Sequence, residues 1–239
     1  MILQNLTFTG IDSLTDIDDL VDLSSDYPNI RFGFKTSSDW MNLDYPNPIE
    51  MNRLGHPDLT YILVIDNVEA QDILNGDWDI ITNRFGDSFR YFSAVQLNLG
   101  RQKFQLRYAL RNVPENIKEI IIQQTDSDDL NMYKYLKRTA ARENFKVSLL
   151  VDGSGGKGFF CTPTEELFLQ MNESFGFAGG LTPKNCRQVF DICEQYAEIL
   201  ELPYWLNFES GVKDDFGFNI NACRAICEKI YKARKEFAV

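Results

Sequence analysis

The sequence holds one histidine, His56, and five cysteines with no C-x-x-C pair among them. A lone histidine in the irregular stretch "RLGHPD", with no clustered ligands, excludes the usual metal sites. His56 is read as a loop residue, and neither a metal nor another cofactor is expected. Cys186 and Cys193, like Cys223 and Cys227, fall among apolar neighbours at helical spacing. With Cys161 they are read as reduced thiols, mostly buried, rather than as disulfides. Basic residues are scarce: 24 Lys and Arg stand against 35 Asp and Glu, and the net charge is −11. With no basic run to offset that charge, binding dominated by nucleic-acid phosphates or anionic lipid is excluded. No stretch approaches the roughly 20 apolar residues of a membrane span. The opening "MILQNLTFTG" lacks a basic n-region and a small-residue cleavage site, so it reads as a strand and points to a cytoplasmic protein.

What the chain does have is alternation. Eight apolar, β-branched or aromatic runs recur in order: "ILQNLTF", "IRFGFKT", "TYILVID", "YFSAVQLNL", "IKEIIIQQ", "KVSLLVD", "SFGFAGG" and "YWLNFES". Helical patterns lie between most of them. "DSLTDIDDLVDLSSD" offers Asp and Ser caps and repeats Leu14, Ile17, Leu20, Val21 and Leu23. "TPKNCRQVFDICEQYAEIL" puts Cys186, Val189, Phe190, Cys193, Ala197 and Leu200 on one stripe, with Thr182 as N-cap and Pro183 at the first helical position. Strands alternating with helices predict parallel β/α units. Eight units in 239 residues predict a single α/β domain over 1–239, a (β/α)8 TIM barrel. An open doubly wound sheet is the alternative. The Pro- and Asn-rich stretch 37–58 is long for a loop and follows the second strand, on the functional rim of such a barrel.

Three turns carry the candidate chemistry. "LLVDGSGGKG" ends an apolar strand in Asp152 and continues into Gly155 and Gly156; a carboxylate at a barrel strand's C-terminal tip points into the mouth. Its spacing to Lys157 does not match a Walker loop. "GFAGGLTPKNC" adds Gly179 and Gly180, and "NFESGVKDD" adds Ser210 and Gly211. Each alone suits an ordinary surface turn. At the ends of three consecutive strands, bare amides beside a helix N-terminus predict a phosphate cradle.

These stretches resemble phosphoribosylanthranilate isomerase of tryptophan biosynthesis. That family shows K-I-C-G in its first strand, Q-L-H-G in the fourth, L-L-D…G-G-T-G in the sixth, A-G-G-L-x-P-x-N-V in the seventh and D-x-S-S-G-V-E in the eighth. Here they read "TFTG", "VQLNL", "LLVDGSGGKG", "AGGLTPKNC" and "NFESGVKDD". The resemblance implies a barrel that binds a small phosphorylated sugar and carries out an Amadori-type aldose–ketose isomerisation. It implies Asp152 as general acid, while Thr9 occupies the position of the family's general-base cysteine. Asp12, three residues on, is a replacement carboxylate or, alternatively, a cap of the first helix. Gln96 is kept and is a substrate-binding candidate. The family's fourth-strand histidine is Asn98, its ring-binding arginine has no match, and Arg53 or Lys35 is the substitute. Lys213 stands where the family has an acid. The alternatives are a non-catalytic or repurposed barrel that binds a phosphorylated metabolite, and a Schiff-base lyase using Lys35. A monomer or homodimer is expected.

Overall fold

A computed structural model describes residues 2–36, 51, 53–99, 110–141, 143–155, 157–171 and 173–237. Eight parallel strands close a barrel in sequence order: β1 (Leu3–Thr9), β2 (Ile30–Thr36), β3 (Tyr61–Asp66), β4 (Phe92–Asn98), β5 (Glu119–Gln124), β6 (Lys146–Asp152), β7 (Phe175–Ala178) and β8 (Tyr204–Phe208), with β8 paired back to β1. Each predicted run is a strand, and closure removes both sheet edges. The open doubly wound alternative is excluded.

The described helices pack outside: α1 (Ile17–Asp26), α2 (Asn67–Leu74), α3 (Asp79–Phe85), α4 (Ser127–Ala140), α5 (Glu165–Gln170), α6 (Cys186–Leu200) and α7 (Ile220–Phe237). Strands covered on both faces read as continuous apolar runs, and β3 shows why. Ile62 and Val64 join Ala94, Ile121, Leu150, Ala178 and Trp205 in a cluster of their own. Tyr61, Leu63 and Ile65 belong to the larger core that also contains the helix residues Val189, Cys193, Cys223 and Cys227. Four cysteines are buried, Cys161 is half-buried, and all five are free thiols. Among the described residues no helix is long and apolar enough to cross a membrane.

Inside the barrel, alternate residues form layers. Near the N-terminal ends Arg31 reaches from β2 to Glu119 on β5 at 2.7 Å, Arg31 Nε donates to Thr7 Oγ1, and Ser148 Oγ donates to Glu119 Oε1. Trp205 fills the space left by Gly176, with the Arg31 guanidinium 5.3 Å from its ring centroid. Side chains therefore plug this end, and the opposite end is left open.

Two helix starts differ from expectation. α1 begins at Ile17 with Asp16, not Asp12, as N-cap, and Leu14 precedes the helix and is 80% exposed. α6 begins at Cys186 with Asn185 as N-cap. Thr182 caps the turn before it, Oγ1 accepting from Lys184 N at 3.2 Å and its carbonyl from the amides of Asn185 and Cys186. The Asn185 side chain displaces the earlier start: Oδ1 accepts from Thr182 N at 2.7 Å and Nδ2 donates to the Gly180 carbonyl at 2.9 Å.

Candidate functional site

Strand register sets the open end. Asp66 pairs with Asn98 and Asp152 with Ala178, so the tips of β3 and β4, and of β6 and β7, lie level. Two residues beyond each inward position lies the next, which brings Lys35, Asp66, Asn98, Gln123 and Asp152 to the rim of one cavity of about 880 Å³. Asn207 and Glu209 of the β8 end complete the ring, and Gly155, Lys157, Gly158, Gly179, Gly180 and Ser210 form one side.

Asp152 is held from both sides. Its Oδ2 accepts from Gln123 Nε2 at 2.8 Å; its Oδ1 accepts from Ser154 N at 2.9 Å and Ser154 Oγ at 2.7 Å. Ser154, itself buried, also accepts through Oγ from the amides of Lys157 and Gly158, so one hydroxyl shapes the β6 loop and orients the carboxylate. Positive φ at Gly155, Gly179 and Gly180 bends the β6 and β7 loops towards each other. Gly153 N donates to Ala178 O and Cys161 N to Gly179 O. A Cβ on Gly180 would strike the Phe159 backbone, and one on Gly211 would strike the Leu181 carbonyl. A Cβ on Gly158 would lie 3.5 Å from Ser210 Oγ. The three glycine-bearing loops are thus packed on one another. Gly156 lies outside the described residues, and Gly211 packs behind the cavity rather than lining it.

The other sequence candidates are placed differently. Thr9 is fully buried, and its hydroxyl donates to Asn207 Oδ1 at 3.1 Å. Gly33 makes room for it, since a Cβ there would lie 2.5 Å from Thr9 Oγ1. Asp12 is a brace: it accepts from Leu14 N, from Thr15 Oγ1 and, at 2.6 Å, from Phe218 N, tying the β1 loop to the strand pair β9 (Lys213–Asp214) and β10 (Gly217–Phe218). Gln96 is buried one layer below the rim, where Nε2 donates to Asn98 Oδ1 at 2.9 Å. Arg53 is exposed and lines a separate, smaller cavity of about 170 Å³ with Leu14 and Ile17. Of the 37–58 stretch, residues 37–50 and 52 lie outside the described residues. His56 accepts from Asp58 N and does not line the main cavity.

Sequence reasoning passed over Asp66, Gln123 and Glu209. Asp66 Oδ1 accepts from Asn98 Nδ2 at 2.6 Å, and Lys35 Nζ lies 2.6 Å from Glu209 Oε1 and 3.8 Å from Asp66 Oδ2. Each ends or follows an apolar strand with a polar side chain, the same signal that singles out Asp152. Cys161 Sγ lies 2.9 Å from the Gly153 carbonyl. Burial, reinforced by the charge of Asp152, pushes its thiol above the ordinary value, so it is no thiolate base near neutral pH. Among the described residues there is no group of three His, Cys, Asp or Glu placed to hold a metal ion.

No protein-family model matches the sequence, and no curated protein matches it. Solved structures do. A phosphoribosylanthranilate isomerase in complex with reduced 1-(o-carboxyphenylamino)-1-deoxyribulose 5-phosphate is 18% identical with a TM-score of 0.57, over 97% of this chain and 100% of that one. The isomerase from Thermotoga maritima is 19% identical with a TM-score of 0.59 and the same coverage. That from Pyrococcus furiosus is 14% identical with a TM-score of 0.53, over 96% and 99%. Over nearly its whole length, therefore, this chain has the (β/α)8 barrel fold of the phosphoribosylanthranilate isomerase structures.

Proposed function

We propose that the protein is a phosphosugar-binding barrel, a divergent relative of phosphoribosylanthranilate isomerase, and that its reaction is an Amadori-type aldose–ketose isomerisation. The observation that carries this reading is the juxtaposition of Asp152 with the packed loops after β6, β7 and β8 around one cavity. Amides of Gly179, Gly180 and Ser210 would hold the phosphate, each such contact contributing roughly 0.3–2 kcal/mol, while the Gly155 amide is taken by the Asp152 carbonyl and Gly211 lies behind the cavity. Lys157 on the same side adds a positive charge. Asp152 would then face the sugar carbons as acid–base group: it gives its proton to the ring oxygen as the C1–O bond breaks, its carboxylate takes the proton from C2, and that proton is returned to C1 as the O2 proton leaves to solvent and the ketone forms.

A second reading, a barrel that binds the metabolite without turning it over, is favoured by Thr9 and Asp12. The Thr9 hydroxyl is spent on Asn207 and is far too weak an acid to serve as a base unaided. Asp12 is spent on the β10 amide. The Schiff-base alternative is disfavoured because the Lys35 ammonium is engaged by Glu209 and Asp66 and offers no free lone pair.

Complementation of a strain lacking the isomerase separates the readings. Growth with the wild-type chain that is lost with Asp152→Asn supports the enzyme. Growth only with Thr9→Cys identifies an inherited site that has lost its base. Titration with ribose 5-phosphate tests the shared claim: no binding would remove both.

A further inference from the structure

The cavity is chemically two-sided. Its β6–β8 side presents glycine amides and Lys157; its β2–β4 side presents Lys35, Asp66 and Asn98, with Glu209 leaning across from the β8 end. Glu209 reaches Lys35 past β1 because the intervening strand ends in the small, buried Thr9 and in Gly10. Among the described residues the one cation on this second side is therefore engaged by two carboxylates, so that the described side chains there carry one negative charge in excess. The acceptors are also ordered: Gln96 donates to Asn98, which donates to Asp66, so Asp66 is turned with one oxygen on Asn98 and the other towards Lys35. No aromatic ring lines the cavity among the described residues.

Carboxylates only accept hydrogen bonds, and a second carboxylate brought against them adds repulsion without adding a donor. We infer that the group attached to the sugar phosphate is rich in hydrogen-bond donors, with amide or amine N–H or hydroxyls and no carboxylate, and that Asp66 and Glu209 select it. This specificity rests on the phosphosugar reading above. It runs opposite to the carboxyphenyl ligand seen in the similar solved structure, whose acidic group would meet the carboxylates of Asp66 and Glu209 here.

The test is calorimetric titration of the full chain with three ligands: ribose 5-phosphate, reduced 1-(o-carboxyphenylamino)-1-deoxyribulose 5-phosphate, and the same molecule with its carboxylate replaced by a carboxamide. Binding of ribose 5-phosphate, together with a carboxamide preferred over the carboxylate by roughly tenfold or more, is expected. A carboxylate bound as tightly as the carboxamide, or tighter, overturns the inference while leaving the phosphosugar site standing. No binding of ribose 5-phosphate overturns both. Asp66→Asn and Glu209→Gln, each nearly isosteric, should shrink the preference several-fold while ribose 5-phosphate still binds. A preference unchanged in both variants would show that these carboxylates do not select the group.

Discussion

At the residue scale, the arrangement turns on how Asp152 is held. A carboxylate with donors on both oxygens keeps one orientation, and an acid–base group displaced by an ångström loses on the order of a hundredfold in rate. Gln123→Leu removes the donor on Oδ2 and leaves the Ser154 contacts intact. If the protein is the isomerase proposed, kcat should fall about tenfold to a hundredfold, with KM little changed, because Gln123 would orient the reacting group without touching the proposed phosphate cradle. A steady-state assay of the isomerase reaction reads the split. Asp152 was legible in the sequence because it ends an apolar strand before a glycine loop. Asp66 and Gln123 carry the same mark, yet periodicity alone does not say which strand tips share a rim. Thr9 and Asp12 show the converse. Both are polar residues near the tip of β1, and only their partners, Asn207 and Phe218, some two hundred residues away, reveal that they are spent.

At the scale of elements, the seventh-strand turn was legible in its glycines and in the capping hydroxyl of Thr182, and not in where the regular helix begins. Pro183 is compatible with the first position of a helix, and Thr182 with a cap, so local preference favours a start there. The start moves to Cys186 because Asn185 satisfies Thr182 N and Gly180 O at once. Asn185→Ala should reduce stability by about 1–2 kcal/mol in a urea melt. It should also weaken ribose 5-phosphate binding, since the Gly179–Leu181 segment loses its tether. Gly180→Ala is expected to be worse on both counts. Its positive φ disfavours a side chain, and the added Cβ meets backbone atoms of Phe159 that belong to the neighbouring loop. If Gly180→Ala melts and binds like wild type, the two loops are not packed as described.

At the scale of the whole molecule, the plugged end of the barrel governs acid stability. Glu119 is largely buried, and that burial would raise its pKa. Arg31, with help from the Ser148 hydrogen bond and from Lys146, outweighs burial and holds Glu119 below the ordinary carboxylate value. Burial in turn draws Arg31 down from its own high value, against the pull of Glu119. An acid whose pKa is depressed on folding contributes stability above its unfolded value, and that contribution is lost as pH falls through the folded value. Glu119→Leu should therefore reduce stability by roughly 3 kcal/mol at neutral pH, because it leaves Arg31 buried without its partner. The gap from wild type should narrow in acid, as pH falls below the ordinary carboxylate value and through the lower folded value at which Glu119 takes up its proton. The double variant Arg31→Met with Glu119→Leu should recover much of the loss, as apolar replacement of a buried pair often does. Denaturant melts from pH 3 to pH 7 measure both effects.

The sequence by itself determined the architecture. Eight apolar runs with helical patterns between them leave few ways to bury both strand faces, and closure into a barrel is the way that 239 residues allow. It also determined which rim turns are free of side chains, because Gly155, Gly179 and Gly180 stand where φ is positive and Gly211 where another backbone passes close. Tertiary structure alone decided which polar residues meet. Lys35 and Asp66 lie at the ends of β2 and β3 and Glu209 follows β8, and the one ammonium meets both carboxylates only because register and the small side chains of β1 bring them within reach. Charge pairing of that kind depends on distances of a few ångströms between residues far apart in the chain, and no local pattern encodes it.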